Sequence, residues 1–416
     1  LDTHPIVREH FGARLKALHP KSWQEGHRRL YQHFKDTAEY RPDDLPGMQP
    51  LFAAVVHGCA AGMYQEALEE VYGDRITRGQ EGYLVHKLGA FAADLSCLSH
   101  FFAERWQGPQ SGLSSAVQSW VIGQAGFRLR GLGRLREAVG PMEEALRLFV
   151  VAKDWSNASK VACNLSELHL ALGELASAEA RAREAVDHAE TSGDRFLRVV
   201  ERTIHADALH QLGRIDEARA LFAEAERMQA EQQPEYPLLY SFRGYQYCDL
   251  LLAAGEAREV VRRARLFFAW RTPSDSLLDI ALDHLSLGRA HVATTPPDVG
   301  AAERHLRAAV DGLRASGQTH HIPSGLLARA TFHRMRDDLP SAWKDLDAVA
   351  TLVRRHGLRL FEADLALEQT RCHLAVSNRE SARTTLEHAR KLITEMSYGR
   401  RIPELNALDA ELNAAP

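Results

Sequence analysis

The 416-residue chain has no apolar run long enough to cross a bilayer: its longest, Leu51 to Met63, is interrupted by His57. No signal-peptide pattern opens it, so no membrane partner is expected. Cysteine is scarce. Cys59, Cys97, Cys163, Cys248 and Cys372 are odd in number and widely spaced, which argues against a disulfide framework and suits reduced thiols in a cytoplasmic protein. Neither sign of charge dominates. With 51 basic against 55 acidic residues and a net charge of -4, there is no global pull toward nucleic acid or a membrane surface. Strand-like alternation is nearly absent. Because the sequence starts at Leu1 instead of Met, it is expected to be a piece of a longer protein.

Catalytic signatures are missing as well. There is no G-x-x-x-x-G-K-S/T, no G-x-G-x-x-G after a strand and no H-E-x-x-H, so neither a nucleotide cofactor nor a zinc-protease centre is expected. His57-Gly58-Cys59 matches the His-Gly and Cys elements of caspase-like proteases only superficially, because it falls inside a helix pattern and not at strand ends. His320-His321 and the pair His284 and His291 lack a further ligand at an established spacing, so no metal is assigned. Cys163, Cys248 and Cys372 fall in helices where a small thiol packs well. The chain is expected to be no enzyme by itself.

What is present is a repeat. Gly133-Arg134-Leu135, Gly173-Glu174-Leu175 and Gly213-Arg214-Ile215 recur every 40 residues. Each is followed at one offset by Ala138, Ala178 and Ala218, then by Ala145, Ala185 and Ala225, with Met142, Ala182 and Phe222 between. A glycine can close one helix in the left-handed conformation, and small residues let the next helix pack closely. Later copies keep the frame: Gly255 with Ala264, Ala302 with Leu306 and Ala309, Ala342 with Leu346, and Ala382 with Leu386 and Ala389. First helices carry small pairs such as Ala125-Gly126 and Leu287-Gly288. The period exceeds the usual ~34 of tetratricopeptide repeats and touches the HEAT and armadillo range. The glycine turn and paired alanines favour the former. The expected fold is an all-α, tetratricopeptide-like α-solenoid, a right-handed superhelix of helical hairpins, each stabilised by its neighbours.

The expected layout is linker helices over 1–40, degenerate hairpins over 41–110, seven repeats over 111–398 and a capping helix over 399–416. Pro5 to Lys35 predicts one or two amphipathic helices with Pro20-Lys21-Ser22 as stop and N-cap. Leu51 to Ile76 predicts a hairpin around Gly62 and Ala67. An apolar helix is expected from about Gly82 to Phe102, broken by Trp106-Gln107-Gly108-Pro109.

In such arrays the ninth position of each first helix usually faces the concave groove. Here it reads Phe127, Glu167, Asp207, Asp249, Arg289, Thr331, Arg371, which predicts a groove negative in one half and positive in the other. Trp120, Lys160, Thr203, His210, Phe242 and Tyr245 join it as candidate binding residues, a mixture suited to a protein or peptide ligand. The competing expectation is that these acids pair with neighbouring basic side chains. Reversing Glu167, Asp207 and Asp249 to lysine is expected to abolish capture and leave thermal unfolding nearly unchanged. Cys163 and Glu167 stand where a carboxylate clamp wants lysine and asparagine, which disfavours a terminal-carboxylate ligand.

Several segments resemble a known family, the C-terminal region of bacterial STAND signalling NTPases of the NACHT or NB-ARC, NOD-like receptor type. Leu1-Asp2-Thr3-His4-Pro5-Ile6-Val7-Arg8-Glu9-His10-Phe11 looks like the end of the winged-helix domain, and Trp23 with His27-Arg28-Arg29-Leu30-Tyr31 like the helix leading into the repeats. Gly62-Met63-Tyr64-Gln65-Glu66-Ala67, Asn164-Leu165-Ser166-Glu167-Leu168, Ala206-Asp207-Ala208-Leu209-His210-Gln211 and Tyr247-Cys248-Asp249-Leu250-Leu251 are similar too. The resemblance implies a parent with an effector, an ATPase switch and this sensor arm, often in antiphage signalling. The arm would contact the parent's NTPase and winged-helix domains and hold it inactive until an inducer enters the groove. No position here matches the family's ATP-binding residues. The alternative is a constitutive tetratricopeptide scaffold.

Overall fold

A computed structural model describes residues 5–414, so the part of the winged-helix-like segment from Leu1 to His4 lies outside the described residues. About 80% of the chain is helical. Among the described residues the β-structure is one antiparallel ribbon, Phe102–Glu104 with Gln107–Pro109. Packing divides the chain into two compact units, one running to Ala125 and one from Gly126.

The first unit is irregular. Its helices Pro5–Leu18 and Pro20–Thr37 meet at His19; Pro20 opens the second as its first residue, where a missing N–H costs nothing, and Ser22 is not the N-cap. Leu45–Ala60 follows, capped by Asp44, whose side chain accepts from Gly47 N at 2.7 Å. After the turn at Gly62 the chain enters a short helix and then ten π-helical residues, Ala67–Ile76. Gly58 lets these helices cross: a Cβ there would lie 2.8 Å from Ala67 Cβ and 2.9 Å from the Tyr31 ring. Arg75 donates to the carbonyls of Lys35, Ala38, Glu39 and Tyr40, satisfying the end of Pro20–Thr37.

The single helix expected from Gly82 to Phe102 is two pieces, Tyr83–His86 and Phe91–Leu98. Gly89, at φ +61°, ends the first. Trp106-Gln107-Gly108-Pro109 does not merely break a helix, because with Trp106 at φ +61° and Gly108 at +58° it turns the chain back and supplies the second ribbon strand.

From Ser115 onward the described residues form seven helical hairpins. Their first helices are Ser115–Gly131, Trp155–Leu172, Arg195–Gln211, Ser241–Ala253, Leu277–Ala293, Ile322–Met335 and Arg359–Ala375. Their second helices are Leu135–Val151, Leu175–Ser192, Ile215–Gln232, Ala257–Ala269, Val299–Ala315, Leu339–His356 and Arg379–Met396. A last helix, Ile402–Asn413, buries Leu405, Leu408 and Leu412 against the seventh hairpin.

The small residues of the repeat form a seam: Ala138, Ala145, Ala178, Ala182, Ala185, Ala218, Ala225, Ala264, Ala302, Ala309, Ala342, Ala382 and Ala389 are all 0% exposed. First helices answer with their own small residues. A Cβ on Gly126 would lie 2.6 Å from Met142 Cγ, and one on Gly288 2.8 Å from the Leu306 side chain. Gly173 closes its helix at φ +77°, as the repeat pattern requires, but Asp337 and Ser377 take that role at +58° and +57° in the sixth and seventh hairpins.

The seventh hairpin returns to the second and third. A Cβ on Gly173 would lie 2.4 Å from Met396 Sδ, and one on Gly399 would lie 2.2 Å from the Leu212 carbonyl oxygen. His356 Nδ1 lies 3.1 Å from the Gly133 carbonyl oxygen. Within this unit the array therefore closes on itself.

Candidate ligand groove

Closure leaves an interior cavity of about 510 Å³. Every hairpin-helix residue lining it comes from a first helix, and the C-terminal residues Tyr398, Arg400, Arg401 and Glu404 complete the wall. Seven of the twelve candidate residues line it: Glu167, Asp207, Phe242, Tyr245, Asp249, Arg289 and Arg371, with Thr331 beside them.

The other five sit elsewhere. Trp120 belongs to the first unit, edge-on to Tyr72 with ring centroids 6.3 Å apart. Phe127 packs under the guanidinium groups of Arg128 and Arg130, and Lys160 is exposed. Thr203 is buried and bonded to the Val200 carbonyl at 2.7 Å. His210 is 0% exposed, just behind the wall.

The expected division into a negative and a positive half gives way to pairing. Arg130 donates to Glu167. Asp249 Oδ1 accepts from Arg289 at 2.7 Å and from Arg400 at 2.9 Å, and its Oδ2 accepts from the other Arg400 nitrogen at 2.5 Å. Burial would raise the Asp249 carboxyl, but Arg400 and Arg289 hold it well below the usual carboxylate range. Arg371 donates to Glu368 at 3.2 Å and to Glu404 at 2.7 Å. Arg401 forks onto Asp364 at 2.7 and 3.0 Å.

Asp207 alone of the acidic ladder has only amide donors, Gln211 at 2.8 Å and Gln246 at 3.5 Å. Burial pushes its carboxyl up to about 6, against the Gln211 hydrogen bond. Phe242, Tyr245 and Phe361 give the wall aromatic faces, and Phe242 stands edge-on to His321 at 5.6 Å. Burial drives the His321 imidazole down to about 3, so it presents a neutral ring.

The repeat pattern gives no sign of Arg400, Arg401 and Glu404, which fall in the expected capping segment over 399–416. Arg400 reaches Gln211 and Asp249 across 189 and 151 residues, a separation with no local signal. The doublet after Gly399 is the one visible hint.

The remaining chemistry-bearing groups of the sequence are packed. His57 Nδ1 lies 2.8 Å from His27 Nδ1, and its ring stacks on Phe34. Burial pushes the neighbouring Cys59 thiol up to about 12, far from a reactive thiolate. His284 faces His305 at 2.9 Å, and all five cysteines are free thiols.

These features define the class: an all-α, tetratricopeptide-like solenoid. A solved structure of a Rap protein, complexed with competence and sporulation factor, shares the fold. The TM-score is 0.57 at 12% identity, covering 95% of this chain and 99% of that one. At that identity the likeness speaks to architecture. No family model matches the sequence, and neither does any curated protein. Among the described residues no helix is long and apolar enough to cross a membrane.

Proposed function

We propose that this chain is a non-catalytic recognition module whose inner wall takes a peptide or an extended protein segment. The observation that carries the reading is the cavity of about 510 Å³, where the aromatic faces of Phe242, Tyr245 and Phe361 stand beside charged groups, most of them in ion pairs. A wall of that kind gives orientation and specificity at low ordering cost, since its side chains are fixed before the ligand arrives. The Rap protein of like fold is complexed with competence and sporulation factor, which supports ligand capture as a use of this architecture.

The finer reading rests on sequence resemblance. In it the chain is the sensor arm of a STAND-type NTPase, and inducer binding shifts the parent from a closed to an open state. The inducer must then prefer the open form; moving a population from 1:99 to 99:1 takes about 5.5 kcal/mol of preference. A P-loop in the coding sequence upstream supports this arm, and a gene without one favours a constitutive scaffold.

The groove itself is tested with Thr331→Trp, which narrows the cavity at a wall residue that is itself in no ion pair. Affinity capture from infected and uninfected cells, with mass spectrometry, compares it with the unaltered chain. A partner held by the unaltered chain and lost by Thr331→Trp supports the groove. One held equally by both rejects it.

A further inference from the structure

One side of the cavity carries a cluster that the ion pairs leave incomplete. Asp207 and His210 lie three residues apart on Arg195–Gln211 and so share a helix face. Asp249 comes from the next first helix, Ser241–Ala253. One donor atom from each, two carboxylate oxygens and an imidazole nitrogen, lies within 4.8 Å of the others. His210 is 0% exposed, yet neither of its ring nitrogens has a hydrogen-bond partner, and Nδ1 stands 3.9 Å from Asp249 Oδ2.

Buried polar groups are almost always satisfied, so an enclosed imidazole with both nitrogens idle calls for an explanation. Burial, reinforced by Arg400, holds that ring neutral with its pKa near 3. Neutral imidazole is the form that offers a lone pair to a metal. Mixed nitrogen and carboxylate donors suit first-row dications better than calcium or magnesium, which prefer all-oxygen shells. We propose that Asp207, His210 and Asp249 form a binding site for a divalent transition-metal cation of the Zn²⁺ class.

The site is tied to the closure of the array. Asp249 is held by Arg289 through Oδ1 and by Arg400 through both oxygens. Among the described residues the only hydrogen bond on Oδ2 comes from Arg400, whose neighbour Gly399 packs on the backbone of Leu212 and Gly213. A dication and that guanidinium cannot share the carboxylate, and their mutual repulsion acts in the same direction. Metal therefore binds the form in which Arg400 has let go, and by reciprocity the Arg400 contact weakens metal binding. This inference is independent of what the groove captures.

The test is calorimetric titration of Zn²⁺ into the metal-stripped full chain, with Co²⁺ absorption as a second readout of nitrogen and oxygen coordination. One equivalent is expected. His210→Ala and Asp207→Asn each weaken binding at least about tenfold. Asp207→Asn is near-isosteric and keeps the test decisive if His210→Ala does not fold. Arg400→Gln strengthens binding by roughly tenfold, a gain that casual capture by surface histidines would not show. Unchanged affinity in Asp207→Asn, or no gain in Arg400→Gln, overturns the proposal.

Discussion

First and second helices of the hairpins obey different rules. Second helices largely repeat themselves: five of the seven carry buried alanines at the same two offsets, as in Ala138 with Ala145 and Ala382 with Ala389, while Val260, Phe267 and Val349 fill those offsets in the fourth and sixth, because small residues let each helix approach its neighbours closely. First helices vary at the matching inner position, from Glu167 through Asp249 and Thr331 to Arg371, and these residues line the cavity. Packing is thus written as identity and recognition as difference. A substitution on one side should be felt as overpacking, and one on the other as an unpaired charge or a lost ligand.

The sharpest test of that contrast is Asp249→Lys, which leaves Arg289 and Arg400 facing a third buried cation. A loss of about 3–5 kcal/mol is expected in urea unfolding. The structure thereby revises the expectation that reversing the acidic ladder leaves unfolding unchanged. Ala182→Leu, in the seam against Ile204 and Ala208, is expected to cost about 1–3 kcal/mol by overpacking and to leave Zn²⁺ affinity unaltered. A loss of metal affinity in that variant would blur the distinction between the two helix sets.

A smaller effect is expected from pH. Burial lowers His321 to about 3 and His284 to about 4, and sends His320 well below its ordinary value. The native state therefore binds fewer protons than the unfolded chain from those values up to about 6.5, and stability rises with pH across that window. Glu201 and Asp283, raised by burial to about 8, act oppositely: the native state keeps their protons, and stability falls as pH climbs toward that value. Imidazoles outnumber these acids, so the melting temperature should peak near pH 6.5, with a slope of roughly 1.4 kcal/mol per pH unit for each unbalanced group. A monotonic profile would refute this. The smallest effect belongs to Lys160→Ala, at an exposed position outside the wall, expected within about 0.5 kcal/mol and without influence on capture.

How much of this was legible follows from the range of the contacts. The solenoid could be read because its seam recurs in sequence. The ion pairs of Arg130 with Glu167, Arg289 with Asp249 and Arg334 with Glu368 span 37, 40 and 34 residues, near one period. The pairing alternative was therefore visible in the repeat frame. Arg400 was not, since it crosses several periods to reach Asp249. Trp120 was misplaced because it falls in the irregular first unit, where the repeat frame fixes no direction. The ribbon at Phe102–Pro109 escaped notice because strands of three residues leave no alternation to detect.

The contact between Gly399 and Leu212 also limits how such a protein can change length. An open solenoid accepts one hairpin more or less, since each unit meets only its neighbours. Here an extra forty residues inserted anywhere between the fourth hairpin and the last would carry Arg400 past its aspartate. The chain gauges its own repeat number, and duplications that lengthen other arrays would leave this one unable to latch.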